Sequence, residues 1–465
     1  MSELPGPFGE LPKPKPNLGT ILTENLHPLI LSHLPARYQT AGRQRSRSKP
    51  KSYHPDANSI TALKTSFSVW DGVRELQRHR WSESDLQHAV IAALILFSFY
   101  VAPPAPVTKL LALIGGAWLL LMPATGQFFR PSLVIWTWLL YFFCSRFIPY
   151  DYRPHIWVRV LPALENVLYG ANLSNIMSAH QHPILDILAW LPYGIMHFGA
   201  PAVCSLVLFI FGAPGTTPVF ARCFGWMCIL GVTIQLCFPC TPPWYENEHG
   251  LTPAAYGMPG SPAGLARLDA IFGIDLYTTN FSTAPLPFGA FPSLHAANAV
   301  LEALFMSHCF PQFRTYFIVY AGWVWWATMY LSHHYAIDLV GGGIIAATFY
   351  YTARARWLPR RQADKLLRWE YEYVEKGETN ETIDEERNDN YFKAGLLSHR
   401  RASSSSGVTL ASASSSWGSS SGTMSPRTPD VLLPDGLAHT GGQGNLWEKV
   451  ASQREVELTD VVIVR

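Results

Sequence analysis

Between Leu86 and Thr352 the chain is a succession of apolar runs, most of them near the roughly 20 residues that a helix needs to cross a bilayer. They fall at 86–101, 107–124, 132–148, 187–211, 219–238, 293–310, 315–332 and 336–353. The first two are short and broken by prolines, so they read either as spans or as a re-entrant hairpin. Hydrocarbon offers no partner to backbone N–H and C=O groups, so segments of this kind must be helical. The expected fold class is therefore all-α, a polytopic membrane helix bundle of about six to eight spans. Composition agrees: 48% of residues are hydrophobic and 15% charged, against about a quarter charged in soluble chains.

Outside this block the sequence is polar. Three regions are expected. Residues 1–85 form a cytosolic polar and basic segment, with the cluster Arg43, Arg45, Arg47, Lys49 and Lys51 and an amphipathic surface helix within Ser59–Trp81. Residues 86–353 form the transmembrane catalytic domain. Residues 354–465 form a cytosolic tail, acidic and then Ser-rich ("ASSSSGVTLASASSSWGSSSG"), whose composition buries no core and reads as mostly disordered. The opening "MSELPGPFGELPKPKP" lacks the apolar centre of a signal peptide, which leaves the first span as the membrane signal. A net charge of +2 with no basic, aromatic-interleaved patch gives no support to nucleic acid as a partner.

Basic residues set the orientation. Arg354, Arg356, Arg360, Arg361, Lys365 and Arg368 follow the last span, and the N-terminal cluster precedes the first. Both termini are then cytosolic. The opposite face receives Pro149–Asp186, Pro239–Pro292 and the turn around Ser332–Tyr335. His295, in "GAFPSLHAAN", starts one span on that face, and His334, in "YLSHHYAIDLVGG", ends the return. Topology alone brings the two histidines to one level.

Asp338 lies four residues after His334, one helical turn away on the same face. It can accept the Nδ1–H of His334, fix the tautomer and leave Nε2 as nucleophile or base. His295 arrives from another helix as a proton donor. Arg146, Arg153 and Arg159 reach the same face against the positive-inside tendency. They read either as tolerated, snorkelling cations or as a clamp, since guanidinium binds phosphate bidentately. Two histidines in different roles plus arginines suit phosphoryl transfer through a phosphohistidine. A His/His/Asp metal site is the rival arrangement, but it leaves the arginines without a role. His333, next along the helix, points elsewhere and reads as a neighbour. The seven cysteines (Cys144, Cys204, Cys223, Cys228, Cys237, Cys240 and Cys309) read as small buried hydrophobes. The "CFPC" pair has no second Cys/His pair at ligand spacing nearby.

"FPSLHA" and "YLSHHYAID" resemble the second and third motifs of the lipid phosphate phosphatase (type 2 phosphatidic acid phosphatase) superfamily. "RFIPYDYRP", with Arg146, six residues and then Arg153-Pro154, resembles the first. The resemblance implies a lipid phosphatase-like core. Two positions depart from the pattern: Leu294 replaces a glycine, and Thr328 replaces the third-motif arginine. Loss of that arginine argues against simple phosphomonoester hydrolysis, since a phosphodiester carries less charge to clamp.

"LPALENVLYGANLS", "HPILDILAWLPYG", "PPWYENEHGLTPAAYGMPGSPAGLARLDAIFG", "FGAFPSLHA" and "YLSHHYAIDLVGG" are similar to the fungal inositol phosphorylceramide synthase family, over roughly Arg146–Tyr351. That similarity implies transfer of inositol phosphate from phosphatidylinositol to ceramide, with diacylglycerol released. It also implies a Golgi membrane, a lumen-facing site, no metal, inhibition by aureobasidin-type cyclic depsipeptides and, in some fungi, a small regulatory membrane subunit. The family's catalytic triad maps to His295, His334 and Asp338. Arg146, Arg153, Arg267 and Ser293 form the expected phosphate- and inositol-binding set. Arg267 lies in the Pro- and Gly-rich stretch Pro239–Pro292, expected to act as a lid that excludes water, and reads either as a substrate contact or as an ion pair with Asp269 or Asp275. Asn172 and Asn280 are lumenal sequons in this topology. A lumenal lipid phosphate phosphatase is the alternative activity.

Overall fold

The computed structural model describes residues 60–82 and 85–377; the basic cluster at 43–51 and the Ser-rich tail lie outside the described residues. A helix forms at every apolar run. The opening elements are α1 (Val69–Gln77), α2 (Leu86–Val101), α3 (Pro106–Leu121) and α4 (Pro123–Cys144). After a connecting segment come α5 (Val160–Tyr169), α6 (Leu173–Ser178) and α7 (Pro183–Trp190), which continues through a π-helical turn, Leu191–Met196, into α8 (His197–Phe211). Then follow α9 (Thr216–Cys237), three short helices α10 (Pro243–His249), α11 (Leu265–Phe272) and α12 (Tyr277–Ser282), and the closing trio α13 (Leu294–Cys309), α14 (Arg314–Tyr330) and α15 (Ala336–Arg356). Among the described residues four stretches are long and apolar enough to cross a membrane: Pro123–Phe147, Pro183–Phe211, Thr216–Cys237 and Ala336–Arg356. The chain is thus an all-α membrane helix bundle.

α2 and α3 are apolar but only 16 residues each. Pro103 and Pro104 separate them, Pro106 starts α3, and both helices lie against α4. Lys109 closes the break by donating its ammonium hydrogens to the Phe99 and Ala102 carbonyls at 2.7 and 3.0 Å, at a helix end that favours a cation. The expected amphipathic helix is shorter than its sequence window. It covers α1 only and docks on the α3–α4 corner, where Gly72 meets the Leu121 carbonyl too closely for any Cβ.

Of the four membrane-length stretches α9 is the most enclosed. Its Phe220, Phe224, Met227 and Cys228 pack with Leu301 and Phe305 of α13 and Tyr350 of α15. In lipid, apolar side chains gain little by leaving the solvent, so close approach and interdigitation hold helices together. Gly342 shows this where α15 crosses the start of α13: a Cβ there would lie 2.1 Å from the Ser293 carbonyl oxygen. The contact is reinforced by the Ser293 N–H, which donates to the Asp338 carbonyl at 3.0 Å.

At one end of the bundle α5, α6 and α10–α12 close over the starts of α13 and α15. Backbone bridges join Trp157, Cys240 and Gly289 there. At the other end residues 357–377, which composition reads as the beginning of a disordered tail, fold back. Leu358, Leu367, Trp369 and Tyr371 are buried, and Arg360 N–H donates to the Glu375 carbonyl at 2.8 Å. All seven cysteines are free, and six of them are buried.

Candidate active site

Ser293 caps α13: its hydroxyl accepts the Ala296 N–H at 3.3 Å. This puts His295 in the first turn, where unpaired N–H groups and the helix dipole favour an anion. In the last turn of α14 the Thr328 carbonyl accepts the N–H groups of both His333 and His334. Ser332, with a left-handed φ of 60°, reverses the chain. α15 then begins after Tyr335. His334 Nδ1 lies 3.2 Å from Asp338 Oδ2, and His334 Nε2 lies 3.1 Å from His295 Nδ1. The carboxylate can only accept, so His334 carries its proton on Nδ1 and presents a lone pair at Nε2 to a protonated Nδ1 of His295. Asp338 is fully buried; its Oδ2 also accepts the Tyr335 N–H at 3.2 Å. The three residues expected from sequence are thus brought together in one chain of hydrogen bonds.

Two residues at the site were missed. The π-helical turn, a feature that recurs at functional sites, delivers Tyr193 and His197 to His295, with ring centroids 4.6 and 4.4 Å away. The usable signal was "LPYGIMHFGAP", which sets Pro, Gly and His inside an apolar span. His333 is a neighbour, as expected, but an engaged one. Its Nε2 donates to the Pro262 carbonyl at 3.2 Å, and its ring lies between Tyr193 and Phe281. Burial holds its pKa down at about 3, so it stays neutral.

The arginines lie elsewhere. Arg153 donates to the carbonyls of Ser145, Arg146 and Ile148 and sits over the rings of Tyr150 and Tyr256. Arg146 donates to the Thr283 carbonyl at 3.0 Å, while its buried Nε has no partner. Both line a cleft of about 370 Å³ with Tyr150, Tyr256 and Thr283, and no histidine lines it. Arg159 is exposed just ahead of α5. Arg267 pairs neither with Asp269 nor with Asp275: its Nε and Nη2 donate to Asp186 Oδ1 at 2.9 and 2.6 Å, and Tyr330 donates to the same oxygen at 2.9 Å. Asp269 instead accepts backbone N–H groups of Leu276, Tyr277 and Thr278. Thr328, where the superfamily pattern has arginine, is fully buried, and its hydroxyl donates to the Trp325 carbonyl.

The Pro239–Pro292 stretch is docked on the site. Trp244 N–H donates to the Ser332 carbonyl and Gly264 N–H to the Leu331 carbonyl. Glu246 takes hydrogen bonds from the Tyr335 hydroxyl and from Asn172 Nδ2, each at 2.9 Å, so the side-chain amide of that sequon is already engaged. Among the described residues no group of three or more His, Cys, Asp or Glu is arranged to hold a metal ion.

The PAP2 superfamily model matches residues 157–352, which hold His295, His334 and Asp338. The chain is 51% identical to the inositol phosphorylceramide synthase catalytic subunit aur1 of Schizosaccharomyces pombe, over 67% of this chain and 74% of that one. It is 44% identical to the inositol phosphorylceramide synthase of Candida albicans, over 71% and 69%. The crystal structure of Aquifex aeolicus LpxE resembles it with a TM-score of 0.28 and 17% identity, over 39% of this chain and 93% of that one. The chain is therefore a phosphotransferase with a PAP2-type core in a membrane helix bundle. Within that class it belongs to the inositol phosphorylceramide synthase family.

Proposed function

We propose that this chain transfers inositol phosphate from phosphatidylinositol to the primary hydroxyl of ceramide, giving inositol phosphorylceramide and diacylglycerol, through a phosphohistidine at His334 Nε2. The observation that carries the reading is the run His295–His334–Asp338, with 3.1 and 3.2 Å between successive polar atoms. His334 Nε2 attacks phosphorus and the bond from phosphorus to the diacylglycerol oxygen breaks; His295 gives that oxygen its proton. Ceramide then yields its hydroxyl proton to His295 and attacks phosphorus, and the P–N bond breaks. Asp338 holds the imidazole and balances the charge it acquires. The resting 3.1 Å contact opens to admit the phosphoryl group. Leaving group and acceptor are both lipid alcohols, so one cleft serves each in turn, and the docked Pro239–Pro292 stretch keeps water from the intermediate.

Family membership and the distribution of basic residues support a Golgi location, a lumenal site, cytosolic termini, the three-region division at 85 and 353, sensitivity to aureobasidin-type depsipeptides and a small regulatory membrane subunit as further parts of this reading. Ser293 acts by fixing the first turn of α13. Arg146 and Arg153 form a cleft for the inositol phosphate headgroup on entry, and Arg267 fastens α11. The test is label transfer from inositol-labelled phosphatidylinositol by the purified protein. Ceramide-dependent product in the unmutated protein and none in His334→Ala supports the reading; water-soluble label released regardless of ceramide contradicts it.

A further inference from the structure

The first turn of α15 carries the site carboxylate, and its backbone is gripped from outside. Glu165, on α5, is fully buried. Its Oε1 accepts the Ala336 N–H at 3.2 Å and its Oε2 the Ile337 N–H at 3.1 Å. Ala336 and Ile337 are the first two residues of α15, whose N–H groups have no partner within the helix. A carboxylate there also complements the positive end of the helix dipole. The next residue but none is the site itself: Asp338 follows Ile337, and His334 precedes Tyr335.

Other contacts hold this turn by different handles. Tyr335 is held by its hydroxyl on Glu246, and Ser332 by its carbonyl on Trp244. Both act on the chain reversal ahead of α15, and the Ser293 N–H holds the Asp338 carbonyl from the side of α13. Glu165 is the group that holds two successive backbone N–H vectors immediately before Asp338. We propose that Glu165 is a positioning residue for the transfer: by clamping the start of α15 it sets the height and rotation at which Asp338 meets His334, and so the aim of the attacking nitrogen. It touches neither substrate nor reacting atoms. The proposal rests on the transfer reading above.

Glu165→Gln keeps the shape but turns an NH2 group toward one of the two N–H donors, which releases half of the clamp. The purified full-length variant, assayed for ceramide-dependent transfer beside the unmutated protein, is expected to lose on the order of 10- to 100-fold in kcat, with KM for both lipids within about twofold and the thermal midpoint of the detergent-solubilised protein nearly kept. Glu165→Asp, which restores the charge one methylene short, is expected to recover part of that kcat, and it decides the matter alone if the Gln variant is not recovered folded. An unchanged kcat, a rise in KM at constant kcat, or loss of activity only in step with loss of folded protein in both variants overturns the positioning role. If the unmutated protein itself gives no ceramide-dependent transfer, it is the transfer reading that fails.

Discussion

His334 and Asp338 stand one helical turn apart across the start of α15, joined by a 3.2 Å hydrogen bond from Nδ1 to Oδ2. That bond fixes which imidazole nitrogen is free. Asp338→Asn keeps the volume but offers an amide that can bind the wrong tautomer, so kcat is expected to fall on the order of 10³- to 10⁴-fold with KM little changed. Steady-state transfer assays on the purified variant measure this directly; a loss under tenfold argues that Asp338 does not orient the nucleophile.

Gly342 permits the crossing that brings the two histidines together. Gly342→Ala puts a Cβ 2.1 Å from the Ser293 carbonyl, and backbone cannot yield there. The expected cost is roughly 1–3 kcal/mol of stability, with activity lost beyond what unfolding accounts for, because α13 and α15 must separate. Thermal unfolding in detergent together with kcat of the folded fraction checks both parts.

Arg267 fastens α11 to Asp186, which is 3% exposed. Arg267→Ala leaves that carboxylate with the Tyr330 hydroxyl but no cation. The expected loss is roughly 2 kcal/mol, smaller than for a wholly buried pair since the arginine is partly solvated. Loosening of α11 is also expected to raise the ratio of hydrolysed inositol phosphate to ceramide product, which chromatography of the labelled products reads.

Burial holds His333 near pKa 3 against an ordinary 6.5. Above pH 6.5 both folded and unfolded chains keep it neutral. Below that, the unfolded chain takes up a proton that the folded one refuses, so stability falls with pH down to about 3, at up to about 1.4 kcal/mol per pH unit. His333→Gln retains a donor for the Pro262 carbonyl and removes this contribution. Its thermal midpoint is expected to decline less between pH 6.5 and 5 than that of the unmutated protein, and parallel curves count against the assignment.

What the sequence made legible followed from two local rules. Apolar run lengths gave the long helices, and the four-residue spacing of His334 and Asp338, with chain reversal between spans, pointed to the three residues that the fold joins by hydrogen bonds. What it hid were long-range pairings that carry no periodicity. Asp186 meets Arg267 across 81 residues, and Glu165 meets Ile337 across 172. His197 is a single polar residue in an apolar span, and only the π-helical turn before it brings it to His295. Arg153 reads as a phosphate ligand from its type and neighbours, but nothing local foretells that the carbonyls of Ser145, Arg146 and Ile148 already take hydrogen bonds from it at the edge of its cleft. Residues 361–377 read as polar tail because Leu367, Trp369 and Tyr371 are spaced among charges, and only the folded end of the bundle gives them a place to pack.

The most direct test of the account is to trap the intermediate. The purified protein, given phosphatidylinositol labelled in its phosphate but no ceramide, is quenched in alkali, and the label on His334 is located by mass spectrometry. The expected result is an acid-labile, alkali-stable adduct on His334 that disappears when ceramide is added and label appears in lipid product, with no adduct in His334→Ala. Transfer to ceramide without any adduct, or an adduct on another residue, would contradict it.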